Sequence, residues 1–294
     1  MKLKFKEKKF SEAALQMIAL INQVIGQYRS RLTARQVYYW FVSHVPNFPN
    51  TPGSYDKMSD LISEGRLCGL VDWDAIEDRG RVVEIPLDFK STSEAIGWLA
   101  NDIYHVPRWG DQPRYAELWV EKQALSGVLY PIAKKIHVPF MATKGYNSQS
   151  AMFEAAMRLR LWQLKGKEVF IFYLGDFDPS GEDMVRDIRD RLNMFGVQQL
   201  TVEKLALTWD QVQQYQPPPN PAKIRDPRAA AYIERYGDES WEVDALDPDV
   251  IEEIIVDKFK SIVDVKLMKA AKKREKIDKK YLLSLAPDLT DQKE

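Results

Sequence analysis

Apolar residues recur at helical spacing in the first part of the chain. Between Ser11 and about Tyr28 they return every three or four positions, which predicts an amphipathic helix capped by Ser11. A second helix is predicted over residues 32–45 and a third over residues 54–67. The next segment, residues 68–86, is predicted to form a turn, a short strand, polar residues and another strand.

Three helices followed by a small hairpin is the element order of a winged helix-turn-helix domain. Such domains bind duplex DNA more often than any other ligand, with one helix in the major groove. We therefore predict a winged-helix DNA-binding domain over residues 1–90. A small helical domain used only for dimerisation is the alternative, because a fold does not fix a function.

The pattern changes after a predicted linker at residues 91–115, which contains one predicted helix near residues 93–103. Strand-like apolar segments then alternate with helical patterns, and this order predicts a mostly parallel four-stranded sheet with helices on its faces. The fold class is therefore α/β. The predicted strands cover residues 116–122, 137–143, 168–178 and 198–207, and the predicted helices between them cover residues 123–136, 148–164 and 181–195.

The remaining sequence extends this second domain, which we place at residues 116–263. An amphipathic helix is predicted at residues 245–263, where Asp247 precedes a proline in the first turn. Residues 264–294 are predicted to form a basic helical tail, which either binds backbone phosphate or only solvates a helix.

Composition limits the class of protein. The 294 residues carry 42 Lys and Arg against 43 Asp and Glu, and 45% are hydrophobic, which excludes wholesale disorder. Cys68 is the single cysteine, so an intrachain disulfide and a multi-cysteine zinc site are excluded, and a reducing cytoplasm is expected. No apolar run approaches the ~20 residues of a membrane helix, so no membrane association is expected.

Acidic residues stand where predicted strands end. Glu121 closes the first strand of the sheet, and Asp176 and Asp178 close the third. Because the carboxyl ends of parallel strands meet at one edge of the sheet, the three carboxylates are predicted to bind Mg²⁺ or Mn²⁺ together. The alternative is that Asp176 only caps the next helix and Asp178 only makes a turn.

Three segments that occur in order resemble a Toprim domain: LWVEKQAL at residues 118–125, ATKGYNSQSA at residues 142–151 and YLGDFDPSGEDM at residues 173–184. The closest form is that of the type IIB topoisomerase (topoisomerase VI) A subunit and the related meiotic double-strand-break protein. The resemblance covers about residues 116–205. It implies that Glu121, Asp176 and Asp178 form the magnesium site, and Lys144 matches a lysine of the family's KGY sequence, which we expect to contact DNA.

The same family carries a T-x-R-x-x-Y-Y motif in its winged helix, and this chain has Thr33, Arg35, Tyr38 and Tyr39 in that pattern. The resemblance implies that Tyr39 is the nucleophile. Arg35 lies one helical turn before Tyr39, where it is expected to stabilise a phenolate or hold the scissile phosphate. Paired aromatic residues on a helix are otherwise core residues, which is the reading we favour for Tyr38.

The short chain resembles small stand-alone relatives of the A subunit, called Mini-A. The resemblance implies Mg²⁺-dependent cleavage of double-stranded DNA through a 5′-phosphotyrosyl link. It also implies a homodimer, in which the tyrosine of one subunit works with the metal site of the other. An ATPase B-type subunit, not encoded in this chain, is a possible partner, and the expected location is the cytoplasm, in association with the nucleoid.

Two other functions remain open at this stage. The first is a hydrolytic Toprim nuclease that uses the same acids and an activated water, and the second is a DNA-binding regulatory protein whose acids bind no metal. Arg79 and Arg81 lie in the predicted wing and are expected to contact DNA phosphates, with a salt-bridged surface as the alternative.

Overall fold

The N-terminal part of the molecule contains the three predicted helices. The structure is a computed structural model that describes residues 1–28, 31–76, 86–143, 147–222 and 228–286. The helices are α1 (Glu12–Gln27), α2 (Ala34–His44) and α3 (Pro52–Leu67). Each begins at a hydroxyl side chain that accepts a backbone N–H, and these capping residues are Ser11, Thr33 and Thr51.

These three helices enclose a hydrophobic core of their own. The inward faces of all three helices and the segment after α3 provide the residues of this core. They include Ile21, Val24, Val37, Phe41, Met58 and Val71. A second, larger core surrounds the sheet. The chain therefore buries its apolar surface around two centres.

The hairpin predicted after α3 differs from the structure in its described part. Residues 68–76 form turns and two isolated bridges, Lys4 with Cys68 and Leu32 with Ile76, in place of a continuous first strand. The physical reason is the Asp72 side chain, which accepts the backbone N–H of Asp74 and so favours a turn. The rest of the predicted hairpin falls mainly on residues 77–85, which lie outside the described residues, as do Arg79 and Arg81.

The second part of the chain forms the predicted α/β structure. Its strands are all parallel in the order β2-β1-β3-β4, which confirms the four-stranded parallel sheet. The strands are β1 (Arg114–Val120), β2 (Phe140–Ala142), β3 (Glu168–Leu174) and β4 (Leu200–Ala206). The connecting helices are α5 (Ser126–Ile136), α6 (Gln149–Leu164) and α7 (Pro179–Met194).

The two central strands end level with each other. Val120 of β1 pairs with Leu174 of β3. The predicted strand over 168–178 therefore ends earlier than expected, because Asp178 already caps α7. As a result, Glu121 and the turn that starts at Gly175 occupy the same edge of the sheet.

The segment after the sheet returns to this edge. It contains α8 (Trp209–Tyr215), a short antiparallel pair formed by β5 (Asn220–Pro221) and β6 (Glu239–Ser240), α9 (Ala229–Tyr236) and α10 (Pro248–Ile262). Phe177 and Trp241 exchange two backbone hydrogen bonds of 2.8 and 2.9 Å. This pairing brings residues 242–245 beside the carboxyl ends of β1 and β3.

The basic C-terminal helix packs against the predicted linker. The linker contains α4 (Thr92–Trp98), and the C-terminal helix is α11 (Val265–Ser284). Glu275 of α11 is buried, and its carboxylate lies 2.9 Å from Arg108 Nη2 and 3.1 Å from His105 Nδ1. The backbone N–H of Val106 also donates to it, at 3.2 Å. Within the described ranges, no helix is long and apolar enough to cross a membrane.

Replacement of Glu275 by glutamine is expected to destabilise the protein at neutral pH by about 1–3 kcal/mol, because the Arg108 guanidinium then lacks its anion. Burial alone would raise the pKa of Glu275, but the hydrogen bonds from Arg108 and His105 outweigh it and lower the pKa to about 2. A lowered carboxyl pKa stabilises the fold above the unfolded pKa of ~4.3, and this contribution is lost as the pH falls through about 2. The melting temperatures of the unaltered protein and of Glu275→Gln are compared at pH 7 and pH 2.5. The difference between the two should be smaller at pH 2.5, and an equal difference at both pH values would contradict the prediction.

Candidate active site at the carboxyl end of the sheet

Glu121 and Asp176 come together at the edge where β1 and β3 end. The Glu121 backbone N–H donates to the Leu174 carbonyl at 2.8 Å, which continues the pairing of the two strands. Glu121 Oε2 accepts the Tyr173 hydroxyl at 3.0 Å and the Asp176 backbone N–H at 3.3 Å. These contacts fix the Glu121 carboxylate beside the start of the Asp176 turn.

Two glycines make this close packing possible. A Cβ atom on Gly175 would lie 2.6 Å from Glu121 Oε2 and 2.5 Å from the Tyr173 hydroxyl. A Cβ atom on Gly181, in the first turn of α7, would lie 2.0 Å from the Asp176 carbonyl oxygen. Any larger residue at either position would displace an acidic residue of the site.

Asp176 is held from two sides. Its Oδ1 atom accepts the backbone N–H of Val243 at 2.9 Å, and its Oδ2 atom lies 3.0 Å from Lys122 Nζ. Burial raises the pKa of Asp176 to about 6, although the Lys122 ammonium acts in the opposite direction. The ionised carboxylate is therefore costly at this position, and a second cation beside it would be favourable.

Asp178 has a different role in the structure from that of Asp176. Its Oδ1 atom accepts the Gly181 backbone N–H at 2.6 Å and the Ser180 hydroxyl at 2.7 Å, so it is the N-cap of α7. The helix cap that we gave as the alternative for Asp176 is thus found at Asp178.

The acids at this edge were predicted from the sequence to bind a metal ion together. Among the residues that the structure describes, no group of three or more His, Cys, Asp or Glu side chains is arranged to hold a metal ion. Glu121 and Asp176 nevertheless provide carboxylate oxygens from adjacent strand ends, and Mg²⁺ usually takes one or two protein carboxylates and keeps waters or phosphate oxygens as its other ligands. The donor chemistry of this pair therefore fits Mg²⁺.

Lys122, Glu242 and Asp244 complete the cluster, and the sequence analysis assigned none of them. Lys122 Nζ lies 3.0 Å from Glu242 Oε2 and 3.1 Å from Asp244 Oδ1, besides its contact with Asp176. Burial would lower the pKa of Lys122, but the charges of the three acids outweigh it and raise the pKa, so the ammonium stays charged. The signal in the sequence is the pair of acids in WEVD, residues 241–244.

Arg35 and Tyr39 of α2 face this cluster. Arg35 Nη1 lies 3.3 Å from Glu242 Oε2, and the Tyr39 hydroxyl interacts with the side chains of Glu242 and Asn220. Glu242 is therefore shared by Arg35, Tyr39 and Lys122. Through Lys122 it connects the two predicted catalytic residues of α2 to Asp176.

The Tyr39 hydroxyl is covered in this arrangement. The residue is 5% exposed, and burial, followed by the charges of Glu242 and Asp244, raises the pKa of Tyr39. Tyr38 is also buried, but its hydroxyl points to a different region, 3.1 Å from Asn50 Oδ1 and from the Thr51 carbonyl. The two adjacent tyrosines thus have separate surroundings, and only Tyr39 faces the acids.

The three residues predicted to bind DNA lie outside the described residues. They are Arg79, Arg81 and Lys144. Thr143, which directly precedes Lys144, is at the same edge of the sheet, because its backbone N–H donates to the Val120 carbonyl at 2.7 Å. No family model matches the chain, and no curated protein matches it either.

Proposed function

We propose that the protein is a Mg²⁺-dependent enzyme that cleaves double-stranded DNA by tyrosyl transesterification. In this proposal the N-terminal helices form a winged-helix domain, and the parallel sheet belongs to a Toprim domain like that of the type IIB topoisomerase A subunit. The observation that carries it is the continuous set of contacts from Tyr39 and Arg35 through Glu242 and Lys122 to Asp176. A tyrosine beside an arginine and strand-end acids is what a phosphodiester transesterase needs.

The proposed reaction exchanges one phosphoester for another. Tyr39 Oη attacks the phosphorus and loses its proton, and the bond to the 3′ oxygen breaks. The protein is then linked to the 5′ phosphate, and the leaving oxygen takes up a proton and becomes a 3′ hydroxyl. Glu121 and Asp176 would hold Mg²⁺, with Asp178 as the third proposed ligand, and the ion would supply charge neutralisation at the phosphate.

Arg35 would serve the phosphate from the side of α2. Its guanidinium lies 3.3 Å from Glu242 and stands over the Tyr55 ring, 5.6 Å from the centroid. Because a guanidinium carries five N–H donors, it can keep the contact with Glu242 and still donate to a phosphate oxygen. The Arg35 guanidinium and the Mg²⁺ ion would thereby stabilise the negative charge of the transition state from two sides.

The reaction requires the Tyr39 hydroxyl to be uncovered. The polar contacts that cover it join α2 to Glu242 and to Asn220 of β5, and Ala245 packs against the N-terminal core beside them. For the hydroxyl to reach a phosphate, α2 would have to shift away from this segment, and contacts with water or phosphate would replace these hydrogen bonds. In the proposed homodimer the released tyrosine would work at the acids of the second subunit.

A covalent adduct tests the proposal directly. Purified protein is incubated with supercoiled plasmid and Mg²⁺, denatured with detergent and divided into samples with and without protease. We expect nicked or linear DNA that enters a gel only after protease treatment and that does not form in EDTA. The 3′ ends should be extended by terminal transferase, whereas the 5′ ends should resist a 5′ exonuclease.

A hydrolytic nuclease is the second candidate, and the 5% exposure of Tyr39 favours it. In that enzyme water attacks the phosphate at Glu121 and Asp176, and Tyr39 only packs against the acids. The same assay separates the two, because hydrolysis gives free ends and DNA that enters the gel without protease. Cleavage of that kind would contradict the transesterase proposal.

A further inference from the structure

One side of α11 carries a continuous line of lysines. The residues of this lysine stripe are Lys266, Lys269, Lys272, Lys273, Lys276 and Lys280. At about 100° of rotation per residue, all of them project within an arc of about 120°, and each is exposed. Between the first and the last, every residue in this arc is a lysine, and the stripe is about 21 Å long.

The stripe has no negative charge beside it on the helix. The two acids of α11, Glu275 and Asp278, lie on the side that faces the linker, where both take part in hydrogen bonds with linker residues. Within the described residues, the basic side chains of α11 that form ion pairs are Arg274 and Lys279, and the lysines of the stripe form none. Because lysines three or four positions apart on a helix repel each other, the stripe costs stability that a bound anion would restore.

The other side of α11 is already used. Met268, Ala271 and Leu282 are half-buried on the side that packs against α4 and the turn after it. A helix that lies in a membrane surface inserts its apolar side into lipid, and here that side is held by the linker. The core of a protein–protein interface is depleted in lysine. A phosphate backbone, which needs closely spaced positive charges and no apolar contact, therefore fits the stripe best.

The stripe lies away from the candidate active site. At the start of α11 the Asp264 backbone N–H donates to Gln112 Oε1 at 2.8 Å, and the Gln112 side chain donates to the Asp264 carbonyl at 3.0 Å. Gln112 precedes β1, whereas Glu121 follows it, and the seven residues of β1 separate these two edges of the sheet by about 20 Å. The phosphates that the stripe could contact are therefore different from the one at the acids.

We propose that the lysine stripe binds the phosphate backbone of double-stranded DNA outside the segment that is cut. The choice of DNA rests on the proposed function, which already brings a duplex to this protein. At ~3.4 Å per base pair, a stripe of about 21 Å spans about six base pairs. Lysine is a flexible point charge that does not read base edges in such a contact, so the stripe would hold DNA of any sequence.

DNA binding in EDTA tests the stripe without any cleavage. The probe is a fluorescein-labelled 20-base-pair duplex, and its anisotropy is measured with the full-length chain over a range of salt concentrations. The stripe variant combines Lys269→Gln, Lys273→Gln and Lys276→Gln, which are exposed positions where glutamine keeps the helix. We expect it to bind at least about tenfold more weakly at 0.1 M salt and the salt slope to fall by about 2.7, the value for three lost phosphate contacts.

A matched control removes three positive charges from exposed positions outside the stripe. It combines Lys135→Gln, Lys165→Gln and Arg274→Gln, the last of which lies on another side of α11. Both variants have the same net charge, so a general effect of charge would weaken both equally. The control should bind within about twofold of the unaltered protein. If the stripe variant binds as tightly as the control, or if the unaltered protein does not bind the duplex, the proposal is overturned.

A membrane surface is the alternative occupant, because Ile277 and Tyr281 are exposed next to the stripe. It is tested by sedimentation of the unaltered protein and the stripe variant with phosphatidylglycerol vesicles at 0.1 M salt. We expect neither protein to sediment with the vesicles. Sedimentation that the stripe variant loses, while its affinity for the duplex is unchanged, would overturn the DNA proposal.

The proposed reaction and the stripe fail separately. Weaker duplex binding by the stripe variant than by the control supports the stripe even if the plasmid assay gives no covalent adduct. An adduct formed by a protein whose stripe variant binds DNA as the control does supports the transesterase and overturns the stripe.

Discussion

Tyr39→Phe is expected to abolish the covalent protein–DNA adduct and to lower plasmid cleavage by more than about three orders of magnitude. The substitution removes only the hydroxyl that would attack the phosphate. The ring remains, so its packing against Tyr38, with 5.5 Å between the ring centroids, is kept. The affinity for a 20-base-pair DNA duplex, measured in EDTA, should therefore stay within about twofold of that of the unaltered protein.

Tyr38→Phe is the matched control for this experiment. It removes a hydroxyl that lies 3.1 Å from Asn50 Oδ1 and from the Thr51 carbonyl, and so loosens the turn before α3. We expect this variant to lose about 1 kcal/mol of stability while it keeps its cleavage activity. The substitution at Tyr38 should thus lower stability, whereas the substitution at the adjacent Tyr39 should lower catalysis.

The measurement is the amount of protease-released linear and nicked plasmid, with urea unfolding of both variants as the stability reading. Adduct formation by Tyr39→Phe would exclude Tyr39 as the nucleophile. Equal losses of activity in both variants would mean that the tyrosine pair only supports the fold of α2.

Lys122→Met is expected to destabilise the protein by about 3 kcal/mol at pH 8. The substitution leaves Asp176, Glu242 and Asp244 without the ammonium that lies about 3 Å from each of them. Removal of one partner from a buried ionic cluster leaves the other charges without an opposite charge, and such changes typically lower the free energy of unfolding by ~3–5 kcal/mol. Arg35 stays near Glu242, so we expect the lower end of that range.

The effect of Lys122→Met depends on pH. Burial raises the pKa values of Asp176 and Asp244 to about 6 even with Lys122 present, and both should rise further without it. A carboxyl group whose pKa is raised by folding favours the folded state at low pH, and this contribution is lost as the pH rises through the folded pKa. The variant should therefore recover stability between pH 8 and pH 5, as measured by urea midpoints.

Lys258→Met provides the control. Lys258 Nζ lies 2.6 Å from Glu203 Oε2, where the two partners are 29% and 40% exposed, so the loss should stay below about 1 kcal/mol. A double variant gives an independent test of the same cluster. Adding Asp244→Asn to Lys122→Met should restore part of the stability that Lys122→Met loses. Equal urea midpoints for the two lysine variants would show that Lys122 does not hold the acidic cluster together.

The parallel sheet and the pair of Glu121 and Asp176 could be predicted from the sequence because both follow from local patterns. Apolar strands that alternate with amphipathic helices require parallel pairing, and parallel pairing places the residues after the strands at one edge. The role of Asp178 as a helix cap depends on how early α7 begins, which the periodicity does not resolve.

The contribution of residues 242–244 could not be predicted in the same way. It depends on the pairing of Trp241 with Phe177, between positions more than sixty residues apart in the chain. The sequence of this segment contains two acids among apolar residues, a pattern that many surface turns share. The contacts of Lys122 with Asp176, Glu242 and Asp244 appear only once that pairing is known.

The long separation between Tyr39 and Glu242 also sets an order of events during synthesis. The two residues are about two hundred positions apart. At a typical ~5–20 residues per second, the ribosome adds Glu242 on the order of ten to forty seconds after Tyr39. The N-terminal helices have their own core and have time to fold in that interval, whereas the acidic surroundings of Tyr39 assemble only when the later part of the chain has emerged and docked.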